Sequence, residues 1–249
     1  MPEQFNSIVF RGQGKFLLGT RDAAGKPVNL KFLGDCSAAK ITPSVSRGKH
    51  IESTTGGRGV LASWINSVES AVALTLHSIR KDHLALILQG LATSKVGATV
   101  TDESHTANLD AMILLEHSKV SAVTVTHLSG TPTYVADTDY VLHADEGFIE
   151  PLSTGSITEA ENVLIDYTYA AQDHVTTDPD NTEYYCVFAG KNTAAGGKQV
   201  RSEMYKVKFD PGALDLINTE AAAIPLNGTI EQDTLRPAGD QYFSYKMEA

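Results

Sequence analysis

Ala71-Val72-Ala73-Leu74-Thr75-Leu76-His77-Ser78-Ile79 puts Val72, Leu74 and Leu76 at every second position, with small or polar residues between. A period of two predicts a β-strand with one face in a core. The alternation reaches back toward Leu61, and Ala38–Ser46 is a second strand-like run. Between the two lies Arg47-Gly48-Lys49-His50-Ile51-Glu52-Ser53-Thr54-Thr55-Gly56-Gly57-Arg58-Gly59. So much glycine and polar side chain is poor core material, so the segment is read as a surface loop.

Toward the N-terminus, the apolar-rich runs Lys15–Arg21 and Val28–Leu33 flank Asp22-Ala-Ala-Gly25-Lys-Pro27, which has the composition of a hairpin turn. On the other side the period changes. Asp82 precedes His83-Leu-Ala-Leu-Ile-Leu-Gln89 and Gly90 follows, an order that predicts a short helix with Asp82 as N-cap and Gly90 as its terminator. Apolar on nearly all sides, that helix is expected to lie against a sheet.

From Val120 the strands become short: Val120–Thr126, Thr133–Val135, Asp139–Leu142, Gly147–Ile149 and Val163–Tyr169, with turns between them, as in a small sandwich. The polar stretch Gln172–Thr182 reads as a boundary. Beyond it Tyr184–Ala189, Ser202–Phe209, Ala223–Glu231 and Gln241–Met247 resume as charge-balanced strands. Charge marks the same division. Between Lys119 and Lys191 there is no Lys or Arg but there are twelve carboxylates, while the remaining chain has 18 acids against 20 bases. The net charge of −10 therefore comes from one block. A core domain made of residues 1–117 and 179–249, interrupted by an acidic β domain over 118–178, is the expected organisation.

Composition excludes several classes of function. With 42% hydrophobic and 20% charged residues among 249, the chain is globular rather than disordered. The start has no basic stretch followed by an apolar run, and no window holds the roughly 18 apolar residues of a membrane helix, so neither export nor membrane insertion is expected. The acidic total argues against a nucleic-acid-binding surface. Cys36 and Cys186 lie 150 positions apart; a disulfide is possible in principle, but without a secretion signal two reduced thiols are expected.

Motifs that carry chemistry are incomplete. Gly12-Gln-Gly14-Lys15 and Thr55–Gly59 are glycine-rich and basic, yet neither makes a phosphate-cradling loop followed by a helix, and both are read as turns. The eight histidines show no ligand spacing. Asp137 and Asp139, Asp145 and Glu146, and Asp178-Pro-Asp-Asn181 are oxygen-rich in the manner of calcium sites, but turns need the same residues and none fits a helix-loop-helix calcium loop. No GxSxG elbow and no distinguishable carboxylate pair is present. No catalytic, cofactor-binding or metal-binding residue is assigned, and no enzyme activity is expected.

The order of elements carries more. Gly12-Gln-Gly-Lys-Phe16, the hairpin, Ile41–Gly56, Val72-Ala-Leu-Thr-Leu76 and Asp82-His-Leu-Ala-Leu86 resemble the major tail tube protein of long-tailed, non-contractile bacteriophages. Phe188-Ala-Gly-Lys-Asn192, Tyr205-Lys-Val-Lys-Phe-Asp-Pro211 and Leu226-Asn-Gly-Thr-Ile230 are similar to the closing strands of that fold. The resemblance covers most of residues 7–92 and 184–247, each motif being weak singly and their order more specific.

It implies a mainly β protein: a tail-tube fold of two packed antiparallel sheets, as a sandwich or barrel, flanked by one α-helix, plus a small inserted β-sandwich-like domain. It also implies a virion protein, in the host cytoplasm during assembly, that closes into hexameric rings and stacks into a tube. Genome DNA passes through such a lumen without specific binding. The implied partners are further copies of the chain, a tape-measure protein, a tail terminator and a distal tail protein, with no cofactor and no membrane. In that family a long loop between the third and fourth strands reaches the next ring. The matching segment here is Ser46–Gly59, so Ser46, Arg47, Gly48, Lys49, His50, Ile51, Glu52, Gly56, Gly57 and Arg58 are the candidate assembly residues. Three bases, Arg47, Lys49 and Arg58, against one acid, Glu52, suit docking on an acidic face. The inserted domain is expected on the tube's outer surface.

A second reading is a β-rich module binding carbohydrate or a cell surface through Tyr134, Tyr140, Tyr167 and Tyr169. Those tyrosines fall within strand patterns, where core packing is the ordinary explanation, and one tryptophan, Trp64, is sparse for a sugar platform. A hydrolase is a third reading that no motif supports.

Overall fold

The computed structural model describes residues 9–178, 181–220 and 223–248, and it is mainly β, with antiparallel sheets and one helix. The chain divides into two compact units, Met1–Ala92 with Val175–Ala249, and Thr93–His174. In chain order, β1 (Gly12–Arg21) and β2 (Pro27–Phe32) form the expected first hairpin. A much longer hairpin follows, β3 (Cys36–Ile51) with β4 (Val60–Leu76), then α1 (Lys81–Ile87) and β5 (Gly90–Lys95). The second unit holds β6 (Ala98–Ala107), β7 (Ile113–Leu114), β8 (Val120–His127), β9 (Thr133–Tyr134), β10 (Tyr140–His143), β11 (Phe148–Pro151) and β12 (Glu161–Tyr169). β13 (Gln172–Thr177) pairs with β5, and β14 (Tyr184–Asn192), β15 (Lys198–Phe209), β16 (Ile224–Ile230) and β17 (Phe243–Met247) complete the first unit.

One sheet organises the first unit, in the order β2-β1-β14-β15-β16-β4-β3, with β17 also on β15. Along one edge β15 changes partner, from β17 over Val200–Met204 to β16 over Val207–Phe209. In a flat sheet β1 and β3 would stand five strand spacings apart, roughly 24 Å at about 4.8 Å each. Both nevertheless line one groove, with Gly14 and Phe16 on one side and Cys36–Ile41 on the other, so the sheet curls into two facing layers. Between the layers Phe16, Leu74, Leu76, Cys186, Met204 and Leu226 join Leu86 and Ile87 of α1 in a single buried cluster.

Several local expectations need correction. The helix begins one residue earlier than its supposed cap: Arg80, in extended conformation and with no side-chain cap bond, holds the N-cap position, and Asp82 lies in the first turn. There its carboxylate still favours the helix dipole. Gln89, at φ 47, takes the left-handed position expected of Gly90, which instead opens β5. Gly12–Lys15 is strand, not turn. Gly14 faces Gly190 across β1 and β14, and a Cβ on it would come within 2.4 Å of the Gly190 Cα, so it is a close strand approach that requires glycine there.

The second unit spans 93–174 rather than 118–178, because strand pairing and not charge sets its limits. β6 runs against β12 from Ala107↔Glu161 to Ala98↔Tyr169, which draws the residues before 118 into the acidic unit. Its sheets are β6-β12-β8-β9 and β10-β11-β7, around its own core of Val125, Ile149, Val163, Ile165 and Tyr167. Thr93–His174 holds thirteen carboxylates and two lysines, a charge of −11 with neutral histidines, which leaves +1 on the first unit.

Candidate assembly surface

The segment expected to be a loop is mostly a β-ribbon. β3 and β4 remain paired from Cys36↔Leu76 out to Ile51↔Val60, and only residues 52–59 connect them. At the base of this arm Ser70, Val72, Leu74 and Leu76 are buried, whereas outward of Ser70 no residue of β4 is buried, and nothing on β3 is buried at all. Of the ten candidate residues, Ser46, Arg47, Gly48, Lys49, His50 and Ile51 lie in strand β3, while Glu52, Gly56, Gly57 and Arg58 lie in the connecting turn. The expectation of a surface loop therefore fails over Ser46–Ile51, since six consecutive residues there are held in register by β4.

Register sorts the arm into two faces, because directly opposed residues point the same way. One face carries Val45 opposite Val68, Arg47 opposite Ile65, Lys49 opposite Ser63 and Ile51 opposite Val60. The other carries Gly48 opposite Trp64 and His50 opposite Ala62. Leu61 and Asn66 are the extra residues at two bulges on β4. Such insertions bend and twist a ribbon locally. Leu61, Val60, Ile65 and Trp64 are 67%, 58%, 54% and 52% exposed, a concentration of large apolar side chains unlike an ordinary monomer surface.

The tip has its own internal order. The Glu52 amide donates to the Gly59 carbonyl at 2.8 Å, closing the turn. The Glu52 carboxylate accepts from the hydroxyls and amides of Thr54 and Thr55. Those bonds, the Thr54 hydroxyl first, bring its pKa down to about 2. Arg58, at φ 48, and Gly56, at φ 75, supply the left-handed corners. Among the described residues no carboxylate lies within ion-pair distance of Arg47, Lys49 or Arg58.

Both outer strands of the curled sheet are also open. Among the described residues β2 and β3 each have one unpaired edge, and every residue of β2 is exposed, including Val28, Leu30 and Phe32. Unpaired edges invite strand addition from another chain.

Other candidate chemistry resolves into internal bonding. Tyr134, Tyr140 and Tyr167 are buried in the second unit's core, so they offer no face to a sugar, and Tyr169 stacks on His117 at 3.7 Å between ring centroids. The Tyr167 hydroxyl donates to Glu103, which also holds His105 Nε2 at 2.7 Å. Burial and the Glu103 carboxylate raise the Tyr167 pKa. Asp139, one of the supposed calcium-type acids, accepts from the amides of Val135 at 2.8 Å and Ser156 at 2.7 Å, and so orders its own turn. Among the described residues no three of His, Cys, Asp and Glu gather as metal ligands; Pro179 and Asp180 of the Asp178–Asn181 cluster lie outside those residues. Cys186 is buried and Cys36 half-buried, both as free thiols. Among the described residues no helix is long and apolar enough to cross a membrane.

Sequence reasoning missed the apolar half of the arm: Val60, Leu61, Trp64, Ile65 and Val68. The one available signal was the lone tryptophan sitting in a run that continues a core strand. Residues 9–246, nearly the whole chain and both units, match the family described as "Protein of unknown function UCP028589". The chain belongs to that family. No curated protein matches it. The matched span runs across the arm and the acidic unit alike.

Proposed function

We propose that this chain is a self-assembling structural subunit, the tail tube protein of a long, non-contractile phage tail. The observation that carries the reading is the arm: a paired, ordered ribbon that leaves the core with large apolar residues on it and none of the described residues covering them. Exposing such residues is unfavourable for a monomer by about 25 cal/mol per Å² of apolar surface, and the cost is recovered when a second copy buries them. Open edges at β2 and β3 offer a lateral contact of the head-to-tail kind, which closes into a ring when its rotation permits. The arm then acts axially, between rings. Tape-measure, terminator and distal tail proteins are the partners this reading carries, with genome DNA passing through the lumen.

The test removes Gly48–Arg58 and follows mass by light scattering as concentration rises. The intact chain is expected to grow well beyond the 26.7 kDa monomer, and the deletion variant to remain a folded monomer with an unchanged circular dichroism spectrum. Growth of the variant to the same mass as the intact chain would remove the arm from the assembly role.

A further inference from the structure

The curled sheet leaves an open groove of about 870 Å³ between its layers. Phe10, Phe16, Phe188, Met204, Phe243 and Tyr245 line one side, and Cys36–Ile41 with Pro43 forms the other. Among its polar lining residues, Ser202 is engaged internally, its hydroxyl donating to the Ser244 carbonyl at 3.0 Å, while Asp35 and Lys40 bring one charge of each sign. Protein interiors pack nearly as densely as organic crystals, so an aromatic-lined opening of this size is large enough to take side chains from outside.

We propose that this groove receives the β3–β4 arm of a second copy of the chain. The inference rests on the assembly reading and names the surface on which the arm lands. Two observations support it. First, the arm cannot reach the groove of its own copy. Ile41 and Pro43 are part of the groove wall, and twelve residues of extended strand separate Val60 from Val72, the partner of Ile41, roughly 40 Å at about 3.3 Å per residue. Second, the groove wall continues onto the arm, because Val45 follows Ile41 and Pro43 on the same face of β3 and lies opposite Val68. An incoming ribbon thus meets one apolar track from Tyr245 to Val68.

Cys36 lines the groove and Cys186 is fully buried, so the native chain carries its own probe. Maleimide labelling of the intact protein is expected to reach Cys36 at low concentration and to slow by about tenfold once the protein has assembled. A short bismaleimide should link Ile65→Cys on one copy to Cys36 on another, and adding Cys36→Ser should abolish that link. Tyr245→Glu, at an exposed rim position, should block assembly while the monomer keeps its spectrum. Assemblies in which Cys36 labels at the free rate, or crosslinks that persist undiminished with Cys36→Ser, would show that the arm docks elsewhere and overturn the groove. Failure of the intact chain to associate at any concentration would sink the assembly reading itself, and this inference with it.

Discussion

The indole of Trp64 lies across Gly48 on the neighbouring strand, so closely that a Cβ on Gly48 would stand 2.5 Å from the indole Nε1. Glycine inside a strand costs roughly 0.5–1 kcal/mol relative to alanine, and here it makes room for the chain's single tryptophan to lie flat on an otherwise exposed ribbon. Gly48→Val is therefore expected to lift the indole off the ribbon. Trp64 emission should shift to the red, thermal unfolding should move little, and association should weaken. An unchanged emission maximum would show that the ring does not depend on that space.

Charge placed on the arm's apolar residues separates assembly from folding. Trp64→Asp and Ile65→Asp lie on opposite faces of the ribbon, both more than half exposed, so each should change monomer stability by only about 0.5 kcal/mol. Sedimentation velocity is expected to show monomers for both. Loss of assembly with one variant only would identify the single face that docks.

The tip of the arm is sensitive to acid, and the sign follows from Glu52. Its folded pKa lies at about 2 against an ordinary value of 4.5, so the carboxylate steadies the turn fully above about pH 4.5 and releases it as pH falls toward 2. Amide exchange at Thr54 and Thr55 should be slow, relative to intrinsic rates, at pH 5 and lose that protection between pH 4.5 and 2. In Glu52→Gln the protection should be weaker at pH 5 and should no longer change between pH 4.5 and 2. Protection that persists unchanged at pH 2 would mean that the carboxylate does not hold the turn.

Each unit has its own core, and core truncations should report on them separately. Leu74→Ala is expected to cost the first unit about 2–5 kcal/mol, and Ile165→Ala to cost the second a similar amount. Hydrogen exchange resolved by segment should show protection falling in the unit that carries the substitution. Equal loss in both units for either variant would make the chain one cooperative block.

Much of the fold was legible because its strands are half-buried. Val72, Leu74 and Leu76 alternate since one face of β4 packs on a core, and the Asp22 turn was visible because its carboxylate accepts from the amides of Ala24 and Lys26, a job few residues do. The arm was misread for the complementary reason. With neither face of β3 buried between Ser44 and Ile51, no alternation is selected, and a ribbon then has the composition of a loop. The acidic unit's early boundary was hidden for a different reason: Lys95 and Lys119 flank β6 and β7 and so leave them outside the base-free run, although β6 is hydrogen-bonded to β12. The ten assembly candidates fall on the β3–β4 hairpin, but the apolar residues opposite them were assigned to the core by a pattern that in fact ends at Ser70.

Electron microscopy of the purified chain at rising concentration, beside the Trp64→Asp variant, tests the self-assembly claim most directly. Rings that stack into hollow tubes for the intact chain, and dispersed particles for the variant, are the predicted result. Dispersed single particles of the intact chain at every concentration would contradict it.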